Sequence, residues 1–112
     1  MKELAAKKCV ACDSDVAPLK GVALKKLHSQ LTGGWRLTRD RRLERDYTFK
    51  DFRGALKFTN RIGVLAEKLQ HHPDILLSWG KVGVTIFTHK IKGLTESDFI
   101  LAAKIEKLPR GK

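Results

Sequence analysis

Cysteine is scarce in this sequence: the chain has two, Cys9 and Cys12, in a single CxxC pair. A structural zinc site usually takes four cysteine or histidine ligands in paired clusters, and no second CxxC follows. A redox CxxC is expected beside a βαβ unit, whereas this pair lies in a short N-terminal lead, residues 1–17. Half of a metal site, completed by a second subunit, stays open as an alternative. We prefer the simpler interpretation of two free thiols in a reducing compartment.

Long hydrophobic segments are also missing. No apolar run approaches the roughly 18 residues typical of a membrane-spanning helix. The first residues, MKELAAKKCVACDSD, contain no apolar segment of signal-peptide length. We therefore expect a soluble, cytoplasmic protein with no membrane partner. No internal repeat or linker divides the 112 residues, which predicts one domain over residues 1–112.

Acidic residues are outnumbered: 12 Asp and Glu stand against 23 Lys and Arg, a formal net charge of +11. Such an excess is compatible with nucleic acid, an acidic partner or an anionic ligand. The basic residues are spread from Lys2 to Lys112. The one dense cluster, RLTRDRRLER, contains Asp40 and Glu44, as a solvated hairpin would. We therefore do not expect nucleic acid as a partner.

Hydrophobic periodicity predicts seven elements in the order α-β-β-α-β-β-α. Three segments have helical spacing: PLKGVALKKLHSQLTGGW, FKDFRGALKFTNRIGVLAEKLQH and GLTESDFILAAKIEKL. Two pairs of alternating segments between them predict β-hairpins. This order favours a two-layer α+β domain, a four-stranded antiparallel sheet with three helices on one face. The other face would be partly open, and the sheet edges would be free to pair between chains.

The spacing also predicts which helix faces are buried and where the helices begin and end. In the first helix the predicted face comprises Leu19, Val22, Ala23, Leu27 and Leu31. In the second it comprises Phe52, Ala55, Leu56, Thr59, Ile62, Gly63, Ala66 and Leu69. Thr48 with Asp51 resembles an N-terminal cap of the second helix, and Pro73 is predicted to end it. Thr95 is the expected N-cap of the third helix.

Two adjacent histidines, His71 and His72, stand just before Pro73 in the segment EKLQHHP. Glu67 precedes His71 by four residues, so the two would share a helix face, whereas His72 would point elsewhere. If the strand leaving Pro73 pairs with the strand that ends at His89, the third histidine comes close. Neutral and protonated imidazoles together suit acid–base catalysis near neutral pH.

A metal is not expected at these histidines. A catalytic zinc needs three convergent ligands, adjacent histidines point apart, and the helical i, i+4 pair of an HExxH motif is absent. Other interpretations of the remaining residues stay open. Asp98 can be explained as a helix cap alone, and Trp79 as a core residue at a strand end. His28 lies off the predicted helix face and is interpreted as a surface residue.

The same residues carry a family resemblance. EKLQHHP, the aromatic Trp79, KV at 81–82, THK at 88–90 and GLTESDF at 93–99 resemble the signature of pterin-4a-carbinolamine dehydratases. Upstream, YTFKDFRGALKFTNRIGVLAE is similar to the hairpin and first core helix of that family. CVAC and SWGKV resemble its bacterial branch, which is found beside aromatic amino acid hydroxylases.

This resemblance implies a fold, an assembly and a site. The fold is a four-stranded antiparallel sheet with three helices, and members assemble as homodimers or homotetramers. The implied catalytic residues are His71, His72 and His89, supported by Glu67 and Asp98. The substrate-binding residues that we assign are Gln70, Pro73, Trp79, Thr88 and Lys90. Ile75 and Gly80 depart from many animal members, which have tryptophan and asparagine there, so the pocket rim is expected to differ.

The implied activity is that of a hydro-lyase, 4a-hydroxytetrahydrobiopterin dehydratase. It removes water from pterin-4a-carbinolamine to give quinonoid dihydropterin in tetrahydrobiopterin recycling, with no metal or organic cofactor and a functional link to phenylalanine hydroxylase. We expect His71 or His89 to be the acid and His72 the base or substrate orienter. Glu67 would fix the tautomer of His71, and Asp98 that of His89. The alternative is a non-enzymatic dimerisation or assembly cofactor, or a transcriptional coactivator, of the same fold.

Overall fold

A computed structural model describes residues 20–39, 41–88 and 93–110. The helices in these ranges are α1 (Gly21–Ser29), α2 (Phe52–Leu69) and α3 (Glu96–Glu106). The strands are β1 (Arg36–Thr38), β2 (Arg42–Thr48), β3 (Asp74–Ser78) and β4 (Lys81–Ile86). The predicted order α-β-β-α-β-β-α and the α+β class are confirmed. The described ranges exclude several residues named from the sequence, among them Cys9, Cys12, Pro18, Leu19, Asp40, His89 and Lys90.

No helix within the described ranges combines the length and the apolar character that crossing a membrane requires.

The four strands form one antiparallel sheet in the order β1-β2-β4-β3. The two hairpins therefore meet where β2 pairs with β4, in a register that sets Leu43 opposite Ile86 and Tyr47 opposite Val82. Because side chains alternate along a strand, these four residues share one face of the sheet, and all four are buried. The outer strands β1 and β3 have an uncovered edge within this sheet.

The helices pack on the buried face. Tyr47 of β2 meets Phe58 of α2 edge to face, with ring centroids 4.7 Å apart, and Phe99, Ile100 and Leu101 of α3 are fully buried beside them. Such aromatic pairs add to the free energy gained from burial alone. The core therefore lies between the sheet and the helices, as the two-layer prediction requires.

The opposite face of the sheet carries charged side chains. Arg36 of β1 lies 3.6 Å from Asp46 and 3.9 Å from Glu44 of β2, and Lys81 of β4 lies 3.9 Å from Asp46. Both described acids of the first hairpin, Glu44 and Asp46, are thus paired with cations on this solvated face.

The predicted buried faces of the first two helices are confirmed only in part. Ala55, Ile62 and Ala66 of α2 are buried as predicted, but other members of both faces are exposed. In α1, Leu24 is buried, whereas Val22 and Ala23 are exposed. In α2, Phe58 is fully buried, whereas Phe52 and Leu56 are exposed. Both helices have apolar residues on more than one side, so spacing alone allows several overlapping stripes. Contact with the sheet selects one of them.

Two local details also differ from the prediction. Asp51, not Thr48, caps α2: its Oδ1 accepts a hydrogen bond from the Gly54 N–H at 2.8 Å, while Thr48 is the last residue of β2. His28 is half-buried rather than a free surface residue. Its Nε2 lies 2.7 Å from the carbonyl oxygen of Trp35, which connects α1 to the start of β1.

A polar cluster fastens the C-terminal end of α3 to the sheet. Glu106 Oε1 accepts hydrogen bonds from Tyr47 Oη at 2.6 Å and from Trp35 Nε1 at 3.2 Å. Arg45 Nε lies 3.5 Å from the same oxygen, and Arg110 Nη1 lies 3.4 Å from Oε2. Two cations and two neutral donors thus compensate the desolvation of one carboxylate.

Gly33, in the connection between α1 and β1, leaves room for that carboxylate. Its φ of +89° lies in the left-handed region that glycine adopts freely, and a β-carbon built there would overlap the Glu106 carboxylate. The missing side chain therefore allows the connection to pass directly over the cluster.

We predict that Tyr47 stays un-ionised in the folded protein at about pH 11, because its phenolate would be buried beside a carboxylate. Burial, followed by the hydrogen bond to Glu106, raises the pKa of Tyr47 well above its usual value of 10.0. Its contribution to stability is therefore fully present below about pH 10 and is lost as the pH rises further. Tyr47 is the single tyrosine, so phenolate absorbance with and without denaturant measures it alone. A folded-state midpoint near the usual value would contradict the prediction.

Candidate active site

The chain changes direction at Gln70, directly after α2. Gln70 adopts the left-handed conformation, with φ of 54°, and its N–H bonds to the carbonyls of Ala66 and Glu67. The N–H of His71 also donates to the Ala66 carbonyl, at 3.1 Å. This way of ending a helix usually employs glycine; here the Gln70 side chain instead donates to the Glu67 carbonyl at 2.7 Å. Gln70, and not Pro73, therefore ends α2.

His71 points into the interior and lies against a buried carboxylate. The residue is 7% exposed, and its Nε2 lies 2.6 Å from Oδ1 of Asp98, which is completely buried. The other carboxylate oxygen, Oδ2, accepts hydrogen bonds from Thr88 Oγ1 at 2.7 Å and from the Thr95 N–H at 2.8 Å. Both oxygens of Asp98 are thus satisfied, as a buried charge requires.

Three parts of the fold meet at Asp98. His71 comes from the connection between α2 and β3, and Thr88 follows the end of β4. Thr95 and Asp98 form the first turn of α3, where the carboxylate also interacts favourably with the helix dipole. Backbone hydrogen bonds between Thr88 and Gly93 hold the chain beside this turn. The predicted helix cap is therefore also the partner of a histidine.

The contact with Asp98 selects one tautomer of His71. A carboxylate can only accept a hydrogen bond, so Nε2 of the ring carries the proton. In the neutral ring, Nδ1 is then the nitrogen that can accept a proton. A histidine whose tautomer and orientation are fixed by a carboxylate is the arrangement that general base catalysis uses.

His72 occupies a different environment. Its side chain is 57% exposed, and Nε2 lies 3.6 Å from Oε1 of Glu67, which also accepts from Gln70 Nε2 at 3.2 Å. The predicted pairing of Glu67 with His71 is therefore wrong: Glu67 lies beside His72, and Asp98 beside His71. The left-handed Gln70 is the cause, because it takes His71 off the helix face that Glu67 shares.

The other sequence-predicted residues are distributed unevenly. Gln70 is exposed on the turn, Pro73 is half-buried, and Thr88 belongs to the Asp98 network. Trp79 is 69% exposed in the turn between β3 and β4, about 20 Å along the strand from Pro73. The structure thus separates Trp79 from the histidines within one chain. His89 and Lys90 lie outside the described residues.

The hydrogen-bonding role of Thr88 was missed by the sequence-based assignment, which placed it beside the substrate. A signal was present, because Thr88 continues the alternation of Val82, Val84 and Ile86, which all face the core. A polar residue at such a position needs a buried partner, and Asp98 supplies it.

The described residues contain no group of three histidine, cysteine, aspartate or glutamate side chains arranged as metal ligands. They do contain His71, whose tautomer is fixed, next to the exposed His72. Two such histidines are suited to proton transfer.

Comparison with known proteins gives a consistent result. The profile of the family described as "Pterin 4 alpha carbinolamine dehydratase" matches residues 17–108. A protein of Alkaliphilus metalliredigens is 54% identical over 107 residues, covering 96% of both chains. One of Rubrobacter xylanophilus is 53% identical over 108 residues, covering 96% of this chain and 100% of the relative. Both relatives are provisionally named pterin-4-alpha-carbinolamine dehydratases.

Two solved structures have a similar fold. A Brucella melitensis protein described as a transcriptional coactivator/pterin dehydratase superposes with a TM-score of 0.72 at 32% identity, covering 80% of this chain and 95% of its own. A pterin dehydratase-like protein, described as a RuBisCO assembly factor in the alpha-carboxysome, superposes with a TM-score of 0.57. At 20% identity, with coverage of 66% of this chain and 87% of its own, it shows the shared fold alone.

We predict that Thr88→Val lowers the free energy of unfolding by about 1–3 kcal/mol, because it removes a donor from a buried carboxylate. The matched control is Thr85→Val, three residues earlier and on the opposite, solvated face of the sheet. It should lower the free energy of unfolding by about 0.5 kcal/mol or less. Urea unfolding of both variants measures the difference. Equal losses in the two variants would show that the Thr88–Asp98 hydrogen bond has no special weight.

Proposed function

Because this chain belongs to the pterin-4a-carbinolamine dehydratase family, we propose that it catalyses the dehydration of 4a-hydroxytetrahydrobiopterin to quinonoid dihydropterin. The observation that carries the proposal is the pairing of His71 with the buried Asp98 at 2.6 Å. This contact provides a proton acceptor of defined tautomer in a chain whose other three histidines include the adjacent His72.

The reaction is an elimination of water. The bond between C4a and the hydroxyl oxygen breaks, and the hydroxyl takes up a proton to leave as water. The proton on the neighbouring ring nitrogen is lost as a C=N double bond forms. No electron is gained or lost overall, so two proton-transfer groups are sufficient, and we propose that neither a metal nor an organic cofactor takes part.

His71 is the proposed base. Its Nε2–H is engaged by Asp98, so the free Nδ1 accepts the proton from the pterin ring nitrogen. Asp98 then lies as a counter-charge beside the protonated ring, as the carboxylate does in catalytic triads. This assignment reverses the sequence-based preference, which favoured His71 as an acid, because that preference paired His71 with Glu67.

The proton for the leaving hydroxyl then comes from His72 or His89. His72 has the exposure needed to exchange protons with solvent, and the Glu67 carboxylate is 3.6 Å from its Nε2. Gln70, on the turn beside both groups, is a proposed contact of the substrate. Thr88 acts through Asp98 and is a positioning residue rather than a catalytic one.

The proposed reaction consumes the hydroxylated pterin that aromatic amino acid hydroxylases such as phenylalanine hydroxylase release. A functional link to such an enzyme is therefore part of the proposal. The description of the Brucella protein also names a coactivator role, but no described feature of this chain favours that role over catalysis.

We predict that His71→Ala and Asp98→Asn each lower the rate of dehydration by about 10²–10⁴-fold, the usual contribution of a proton-transfer group. The double variant should lose much less than the product of the two single losses, because the residues act as one unit. Stopped-flow dehydration of chemically generated 4a-hydroxytetrahydropterin measures the rates, and unfolding curves check that each variant folds. Asparagine is chosen because it retains the shape and capping ability of Asp98.

The control is His28→Gln, which keeps a donor for the Trp35 carbonyl and should turn over normally. Near-normal rates in His71→Ala would reject His71 as the base. Fully multiplicative losses would reject its coupling to Asp98. A folded wild-type protein with no effect on dehydration would reject the enzyme in favour of the non-enzymatic alternative.

We also predict a homo-oligomer joined through a sheet edge. β1 and β3 leave their outer hydrogen-bonding groups unpaired within the described sheet, and β3 exposes 64% of Leu76. Uncovered edges of this kind pair readily with a second chain. The last helix, the other sequence-based candidate, is largely buried within the chain. Light scattering at micromolar concentration tests the prediction, and a monomer would contradict it.

A further inference from the structure

A second group of charged side chains surrounds a cavity beside the N-terminal half of α2. The cavity has a volume of about 660 Å³. Among the described residues, its charged lining consists of five cations and one acid: Lys50, Arg53, Lys57, Arg61, Arg110 and Asp51. The sequence gives little hint of this group, because Arg110 is far from the others along the chain and RLTRDRRLER is the denser cluster.

The cations fall into two sets. Arg61 donates from Nη1 to the Pro109 carbonyl at 2.7 Å, and Arg110 lies 3.4 Å from Glu106, so these two build the wall formed by the C-terminal segment. Lys50, Arg53 and Lys57 are exposed, and none of them forms an ion pair with a residue that the structure describes.

No acid among the described residues forms an ion pair with these three cations. Arg53, Lys57 and Arg61 follow one another at four-residue intervals on α2, a spacing at which like charges repel and destabilise a helix. Asp51, the one acid among the described lining residues, already accepts the Gly54 N–H as the cap of α2. A bound polyanion would offset the repulsion between these cations. The free energy released would contribute to the affinity of the site for the polyanion.

We propose that this cavity binds a small organic phosphate with two or more phosphoryl groups. Guanidinium and ammonium groups are the usual protein ligands of phosphoryl oxygens, and three free cations exceed what one monoanion needs. The volume lies within the range of about 300–1,000 Å³ typical of small-molecule pockets. Nucleic acid would instead need a basic strip running beyond one cavity. Phe49 lines the same cavity and offers an apolar surface for the organic part.

This site is separate from the candidate active site. Lys57 and Leu69, the last residue of α2, are twelve residues apart, or about 18 Å along the helix. His71 follows beyond that end. A phosphate in the cavity therefore does not touch His71, and the proposal is independent of the dehydratase activity.

Isothermal titration of the full chain at constant ionic strength, with pyrophosphate and with ADP as probes, tests the proposal. The double variant Arg53→Glu/Lys57→Glu should weaken the binding of both probes by about tenfold or more. The control Lys25→Glu/Lys26→Glu changes the net charge of the chain equally, on α1, and should change affinity by less than about twofold. Dehydration by the cavity variant should equal that of wild type.

Three results would overturn the proposal. One is no binding of either probe by the wild type at millimolar concentration. Another is an equal loss in the cavity and control variants, which would indicate attraction by net charge alone. The third is an oligonucleotide that binds more tightly than ADP and is released by the cavity substitutions. Thermal unfolding checks that the double variant folds. If the double variant does not fold, Lys57→Gln replaces it, because this change removes a positive charge without introducing a negative one.

Discussion

A carboxylate that is completely removed from water must be hydrogen-bonded on both oxygens, and Asp98 imposes this requirement on the candidate site. An unpaired buried charge costs several kcal/mol, more than most single contacts in a small domain contribute. Asp98 is satisfied only when the α2–β3 connection, the end of β4 and the first turn of α3 lie together. The orientation of His71 is therefore a consequence of folding, and catalysis in the proposed mechanism uses a geometry that stability already demands.

Strand patterns in this sequence were informative because a pleated strand has only two faces. The alternation of Val82, Val84 and Ile86 leaves no choice about which side is buried, and the structure buries all three. Helical spacing is less decisive. Phe52, Leu56 and Phe58 are all apolar and point in different directions around α2, and only packing against Tyr47 shows that Phe58 is the one inside.

The residues of the site were easier to predict from the sequence than the partner of each histidine. The sequence paired Glu67 with His71 and Asp98 with His89, whereas the structure sets Asp98 beside His71 and Glu67 beside His72. One backbone conformation accounts for the change of partner at Glu67. Gln70 takes a left-handed φ that glutamine rarely adopts, so no propensity predicts it, and a single residue in that region is enough to redirect every side chain after it.

The half-buried carboxylate of Glu106, at the end of α3, limits which substitutions the neighbouring chain can accept. Glu106 lies at the negative end of the helix dipole and depends on Tyr47, Trp35 and two arginines for its counter-charge and hydrogen bonds. The Glu106 carboxylate on which they converge lies against Gly33. Every amino acid other than glycine has a β-carbon, so any substitution of Gly33 disturbs its packing against Glu106. This position should tolerate less sequence drift than its place in a surface connection would suggest.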